Sequence, residues 1–184
     1  SYDQAMLLIT KLGDYHLFPL YLAGLLALVL LGAIARKLTK KGAIKPRFVM
    51  WFGIFMVLIA SVGVHAVISH AVKDYFAYPR PYVELAKEDV HLLEIRGSED
   101  AYRSFPSGHA TFITLMVLGL WPAIRADYRW MGYALIFAVC WSRVSVGVHY
   151  PADVVGGVLY ATLLVVIMRS IIYTLLHKLF GITC

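Results

Sequence analysis

A long run without a charged residue is the feature that most constrains this chain. No Asp, Glu, Lys or Arg occurs from Leu17 to Ala35. At a rise of 1.5 Å per residue, a helix formed by this run would be about 29 Å long. That length matches the hydrocarbon layer of a lipid bilayer. The run therefore predicts a helix that crosses a membrane.

Four further apolar runs follow along the chain, at about Phe48–His70, His109–Trp121, Trp130–Val146 and Val154–Leu176. The composition agrees, because 60% of the residues are hydrophobic and 15% are charged. Soluble domains have about 45–50% apolar and about 25% charged residues. We therefore predict an all-α fold, a polytopic transmembrane helical bundle with five spans, which forms a single integral-membrane domain over residues 1–184.

Two segments outside these spans have distinct characters. In residues 2–12, Ala5, Leu8, Ile9 and Leu12 are spaced as one face of a helix. This pattern predicts a short amphipathic helix at the membrane surface. Residues 82–104 are the most polar part of the chain, and we predict an extramembrane loop there.

The basic residues indicate how the bundle is oriented. Six of them crowd the loop 36–47, namely Arg36, Lys37, Lys40, Lys41, Lys45 and Arg47. The positive-inside rule makes this loop cytoplasmic, together with the turn 125–129 two spans later. The loop 82–104 and residue 1 then lie outside the cytoplasm, so a sixth span upstream of residue 1 is expected. The net charge of +6 is explained by this topology, and no nucleic-acid partner is expected.

Three polar clusters lie at span ends on the outer side: Lys73 with Arg80-Pro81, then Pro106-Ser107-Gly108-His109, then Ser142-Arg143 with His149 and Asp153. Ionisable residues at membrane depth are costly and usually mark a functional site. Three cations without a set of metal ligands favour an anion with several oxygens, which indicates phosphate. Ser107 and Gly108, at a predicted helix start, would add a hydroxyl group and backbone N–H donors.

The two histidines of these clusters suit a two-step phosphoryl transfer. One imidazole can attack phosphorus and become phosphohistidine, while the other donates a proton to the leaving alcohol. Asp153 lies four residues after His149, where its carboxylate could hold that imidazole in the reactive tautomer. Lys73 and Arg80 also have an ordinary interpretation, as interfacial side chains whose charged ends reach toward water.

Taken together, the three clusters resemble the motifs K-x6-RP, PSGH and SR-x5-H-x3-D of the type 2 phosphatidic acid phosphatase superfamily. All three motifs match without a substitution. The resemblance implies that His149 is the nucleophile, Asp153 its orienting partner and His109 the general acid. It implies phosphate binding by Lys73, Arg80, Ser107, Gly108 and Arg143, and activity without a metal or other cofactor. Membrane members of the family usually have six spans, whereas five are visible here.

The function predicted from this resemblance is hydrolysis of a membrane lipid phosphomonoester or diphosphate, at the outer face of a bacterial inner membrane. Phosphatidylglycerophosphate, undecaprenyl diphosphate, phosphatidic acid and lipid A phosphates all fit, and the motifs do not choose between them. Transfer of the phosphoryl group to a second lipid is an alternative. A lipid transporter or scramblase is disfavoured, because the charges lie at span ends and not near the midplane. The vanadate-binding haloperoxidase relatives are disfavoured because they are soluble. The oligomeric state and the roles of His65 and His70 stay open.

Overall fold

The computed structural model describes residues 1–39, 45–86, 88–93 and 100–180, and these residues form helices and connecting turns without a strand. The helices are α1 (Tyr2–Lys11), α2 (Phe18–Thr39), α3 (Lys45–Phe76), α4 (Pro81–Glu84), α5 (Gly108–Gly119), α6 (Arg129–Ser145) and α7 (Pro151–Phe180). Short 3-10 turns occupy Tyr15–Leu17, Trp121–Ala123 and Ala126–Tyr128. The predicted all-α bundle is confirmed, with one helix at each of the five predicted spans.

The five helices at the predicted spans differ in length and in position. Three described stretches are long and apolar enough to cross a membrane: Tyr15–Gly32, Met50–Glu84 and Pro151–Lys178. In contrast, α5 has 12 residues, which gives a length of about 18 Å. Nine of its residues are buried, because α5 packs against α3, α6 and α7. It is the central helix of the bundle, surrounded by protein.

Several predicted boundaries were wrong, because good helix formers continue a helix past the edge of an apolar run. The predicted basic loop 36–47 is partly helical, since α2 continues to Thr39 and α3 begins at Lys45. Its residues 40–44, with Lys40 and Lys41, lie outside the described residues. At its other end α3 continues to Phe76, so Lys73 lies in the last turn of the helix. The polar loop 82–104 begins with the last residues of α4, and its residues 87 and 94–99 also lie outside the described parts of the chain.

The helix α1 is confirmed, and the protein covers a face of it other than the apolar face noted in the sequence. Met6 and Thr10 are the buried residues, whereas Leu8 is 64% exposed and Leu12 is 41% exposed. The prediction assumed that the membrane was the only apolar partner of this helix. In the structure α1 also packs on α6, and that contact determines which side is covered.

Close packing of α5 and α7 brings two of the three motifs together. A Cβ atom on Gly157 would lie 2.8 Å from the Ser107 carbonyl oxygen, closer than a carbon and an oxygen can approach without displacement. Gly156 contacts the ring of Phe105 in the same way. The glycine pair thus allows close helix packing, and it places the start of α5 beside the start of α7.

Candidate active site

The three motifs meet because each lies at a helix end that points to the same side of the bundle. Lys73 is in the last turn of α3, and Ser107 precedes the first residue of α5. Arg143 is in the last turn of α6, and Asp153 is in the first turn of α7. Helices that run alternately up and down bring such residues together across long separations in sequence.

His149 is buried, and its two ring nitrogens have different surroundings. Nδ1 lies 3.4 Å from Oδ2 of Asp153 and 3.5 Å from Oγ of Ser104. The Ser104 hydroxyl donates its only proton to the same Asp153 oxygen at 2.5 Å, so it can only accept from Nδ1. With two acceptors in front of it, Nδ1 carries the proton, and Nε2 keeps the lone pair that a nucleophile requires.

Asp153 is held in place beside this imidazole by further hydrogen bonds. Its Oδ2 atom also accepts the backbone N–H of Tyr150 at 2.9 Å, and the backbone carbonyl of Asp153 accepts the N–H of Ser107 at 3.0 Å. The structure therefore brings His149 and Asp153 together in the arrangement predicted from their spacing, and it attaches the PSGH motif to them through Ser107.

Arg80 lies on the opposite side of the His149 ring. It is 1% exposed, and its Nη1 is 3.3 Å from Nε2 of His149. Its guanidinium also donates to the carbonyls of Asp100 (Nε, 2.7 Å), Val148 (Nη1, 2.9 Å) and Arg103 (Nη2, 3.3 Å). These bonds fix the plane of the guanidinium and connect it to the residue before His149. A phosphate oxygen facing Nε2 would meet a fixed, desolvated positive charge.

The PSGH segment lies between Lys73 and α7. Ser107 is fully buried, and its Oγ has no hydrogen-bond partner in the structure. A Cβ atom on Gly108 would lie 3.8 Å from Nζ of Lys73, so the start of α5 and the end of α3 are in contact. His109 is half-buried in the first turn of α5. An unpartnered buried hydroxyl at a helix start, next to an ammonium group, is the arrangement that an anion would complete.

Arg143 approaches from α6 and is fully buried. Its Nη1 donates to Oγ1 of Thr10 on α1 at 2.5 Å. The contacts of the structure thus connect Lys73 with Gly108, Ser107 with Asp153, and His149 with both Asp153 and Arg80. At the same end of the bundle, Arg143 bonds Thr10 of α1, and His109 lies against Gly13, two residues after the end of α1.

Two cavities open at this end of the bundle. A small one of about 210 Å³ is lined by His149, Gly147 and Tyr150, and a larger one of about 810 Å³ is lined by Asp153, Phe105 and Tyr150. Tyr150 stands between them and donates its hydroxyl to Glu84 at 3.0 Å. Burial, together with this bond to a carboxylate, raises the pKa of Tyr150 above its ordinary value, so the phenol stays protonated. The bond anchors the residue next to His149 to α4.

Sequence reasoning missed Ser104 and Thr10, and it left His65 open. Ser104 precedes the PSGH motif by two residues, and no spacing rule marks it. Thr10 lies in a helix that was assigned to the membrane surface. His65 is buried on α3 and packs against Tyr160, with ring centroids 5.7 Å apart, so its observed contact is one of packing.

Replacement of Ser104 tests the orientation of the imidazole. We expect Ser104→Ala to lower kcat about tenfold, since the hydroxyl bonds a charged carboxylate and such bonds are worth about 1.5–3 kcal/mol. The KM should change little, because Ser104 is not one of the phosphate-binding residues. Steady-state kinetics of the purified variant measure both constants. A raised KM with unchanged kcat would contradict this role.

Comparison with known proteins gives a consistent result. The family model of the PAP2 superfamily matches residues 54–176. The chain is 30% identical over 156 residues to the decaprenylphosphoryl-5-phosphoribose phosphatase of Mycobacterium tuberculosis (strain CDC 1551 / Oshkosh), a match that covers 85% of this chain and 75% of the relative. It is 30% identical over 123 residues to YbjG of Escherichia coli (strain K12), which is named for a proposed undecaprenyl-diphosphatase activity. That match covers 65% of this chain but only 58% of YbjG.

A solved structure shares the fold. The crystal structure of Aquifex aeolicus LpxE superposes with a TM-score of 0.67 at 23% identity. The match covers 92% of this chain and 86% of that one. At this level of identity the likeness concerns the fold alone.

Proposed function

Because the chain belongs to the PAP2 superfamily, we propose that it is an integral-membrane lipid phosphatase that works through a phosphohistidine formed on His149. One observation carries the proposal. Nδ1 of His149 faces Asp153 and Ser104, which leaves Nε2 as the nucleophilic atom, with the Arg80 guanidinium 3.3 Å away from it. A nucleophile and a fixed cation at that distance can share one phosphoryl group.

In the first step, Nε2 attacks phosphorus, the N–P bond forms, and the bond to the lipid oxygen breaks. His109 donates its proton to that departing oxygen. The charge that spreads over the phosphoryl oxygens is stabilised by Arg80, Lys73 and Arg143. Asp153 stabilises the positive charge that develops on the imidazole, through the Nδ1 proton.

In the second step, water replaces the histidine. His109, now neutral, takes a proton from the water as the water oxygen attacks phosphorus. The N–P bond breaks, and its electron pair returns to Nε2, so that His149 is regenerated and inorganic phosphate is released. With a diphosphate substrate, the product of the first step is the lipid monophosphate.

The surface next to the site supports a lipid as the substrate. An apolar groove of about 540 Å³ runs between α6 and α7, and its walls include Trp141, Val155 and Leu159. Val144 and Pro151 belong both to this groove and to the small cavity at His149. A hydrocarbon chain lying in the groove would therefore have its phosphate end at His149.

The substrate class is proposed from the relatives together with this groove. The Mycobacterium tuberculosis relative is named for a decaprenyl-linked phosphate and YbjG for an undecaprenyl diphosphate. Both names describe a phosphate-bearing molecule with a long polyprenyl chain, and we place this protein's substrate in the same class. The distribution of basic residues supports a site at the outer face of the cytoplasmic membrane, where the phosphate group is reached from outside the cell interior.

Phosphate release by the detergent-purified protein tests the proposal. The substrates are undecaprenyl diphosphate, phosphatidic acid, phosphatidylglycerophosphate and lipid A, each with and without EDTA. We expect release that survives chelation and is fastest with the polyprenyl substrate. Preference for a glycerolipid would contradict the substrate class, and loss of activity with EDTA would contradict the metal-free mechanism. Phosphate that appears only on an added second lipid would show a phosphotransferase.

A further inference from the structure

Helix α1 presents one face to the back of the site described above. Met6, Thr10 and Gly13 follow one another at helical spacing, and each contacts a different part of the site. Met6 packs in a buried cluster with Val146 and Val148, just before His149. A Cβ atom on Gly13 would lie 3.1 Å from both Cβ and the carbonyl oxygen of His109.

Between these two contacts, Thr10 meets Arg143. The hydroxyl of Thr10 accepts a hydrogen bond from Nη1 of Arg143 at 2.5 Å. Thr10 is 6% exposed and Arg143 is 0% exposed, so solvent does not compete for this bond. The two residues are 133 positions apart in the sequence, and the contact exists only because α1 is packed on α6.

The chemistry of the acceptor matters for an anion site. A carboxylate in this place would form an ion pair with Arg143 and compete with phosphate for its charge. A neutral hydroxyl fixes the direction of the guanidinium without adding such competition. A guanidinium that is already oriented loses less conformational freedom when it binds phosphate.

We propose that Thr10 is a positioning residue that orients Arg143 for the phosphoryl group, and that α1 is thereby a functional part of the site. The proposal rests on the proposed function in one respect, since it takes the ligand of Arg143 to be a phosphate. It assigns to the N-terminal helix a role in substrate affinity in addition to membrane contact. The exposed Leu8 and Leu12 remain on the outer side of α1, away from this contact.

The test compares Thr10→Val, which keeps the shape but removes the acceptor, with Thr10→Ser, which keeps the acceptor. Removing a hydrogen bond to a charged group should weaken phosphate binding about tenfold. We expect Thr10→Val to raise KM for the lipid and the dissociation constant of inorganic phosphate, measured by calorimetry, by that factor. Thr10→Ser should restore both constants to the original values, and kcat should change less than KM.

The matched control is Tyr2→Phe. The Tyr2 hydroxyl also ties α1 to α6, through Ser145 at 2.9 Å and Trp141 at 3.0 Å, but it contacts no phosphate-binding residue. This variant should leave both constants unchanged. An equal loss in Tyr2→Phe, or the same loss in Thr10→Ser as in Thr10→Val, would overturn the proposal, because docking of α1 would then explain the effect.

A double-mutant cycle tests whether Thr10 acts through Arg143. In an Arg143→Lys background, Thr10→Val should cause no further loss of phosphate affinity, and a further tenfold loss would overturn the proposal. If Thr10→Val does not fold, Thr10→Ala carries the same expectations. Failure of the proposed function can be distinguished from failure of this proposal. If only the proposed function is wrong, the protein releases no phosphate from any lipid, but Thr10→Val still weakens the binding of inorganic phosphate.

Discussion

His149→Ala is expected to abolish phosphate release, with a fall in kcat of at least about 10⁴-fold, the scale seen when a catalytic nucleophile is removed. The variant loses Nε2, the atom that forms the bond to phosphorus. Among the described residues assigned to the site, none is expected to replace it, because Arg80, Lys73 and Arg143 are cations and His109 is assigned to the leaving oxygen. The fall in kcat is measured from the rate of phosphate release from the preferred lipid. The reaction is followed for a time in which the original protein completes many turnovers.

Loss of folding must be separated from loss of chemistry in this variant. The His149 side chain is 3% exposed and contacts Asp153 and Arg80, so its removal also lowers stability. The variant should still bind inorganic phosphate through the remaining cations, and this binding serves as the folding control. His16→Ala, which alters an exposed histidine in a 3-10 turn, should keep full activity. If His149→Ala keeps more than about one part in a hundred of the original kcat, His149 is not the nucleophile.

His109→Gln is expected to lower kcat about 10²- to 10⁴-fold with a lipid phosphate, the usual range for loss of a general acid–base group. The effect should depend on the leaving group. A lipid alkoxide needs a proton when its bond to phosphorus breaks, whereas nitrophenolate is stable without one. With p-nitrophenyl phosphate, the formation of the phosphohistidine should therefore be nearly as fast as in the original protein.

Pre-steady-state kinetics with the two substrates distinguish this role from a structural one. In His109→Gln, p-nitrophenyl phosphate should give a burst of nitrophenolate followed by slow turnover, because the same histidine activates the water in the second step. The lipid phosphate should give no burst. An equal loss with both substrates and no burst would show that His109 positions the substrate and does not transfer a proton.

The sequence was enough to predict that the three motifs lie together, because they coincide with helix ends. Lys73, His109, Arg143 and Asp153 each lie in a terminal turn of a helix, and alternating helices bring such turns together. The structure accordingly joins His149 with Asp153 and Arg80, as their motif roles require. Whether each residue performs its assigned step stays a prediction until the variants are measured.

Ser104 and Thr10 could not be predicted for a physical reason. The contact of Ser104 with Asp153 depends on the path of a loop, and the contact of Thr10 with Arg143 depends on how two helices dock. Neither leaves a periodicity in the sequence. The protein-covered face of α1 could not be predicted for the same reason, since hydropathy identifies an apolar side chain without showing whether lipid or protein covers it.

Direct detection of phosphohistidine tests the central claim most directly. The detergent-purified protein is mixed with its lipid phosphate in the presence of EDTA, quenched within milliseconds in alkali, digested and analysed by mass spectrometry. We expect a phosphoryl group on His149, at a level that rises in His109→Gln with p-nitrophenyl phosphate and is absent in His149→Ala. Active protein that never carries phosphate on His149, or carries it on another residue, would contradict the mechanism proposed for this site.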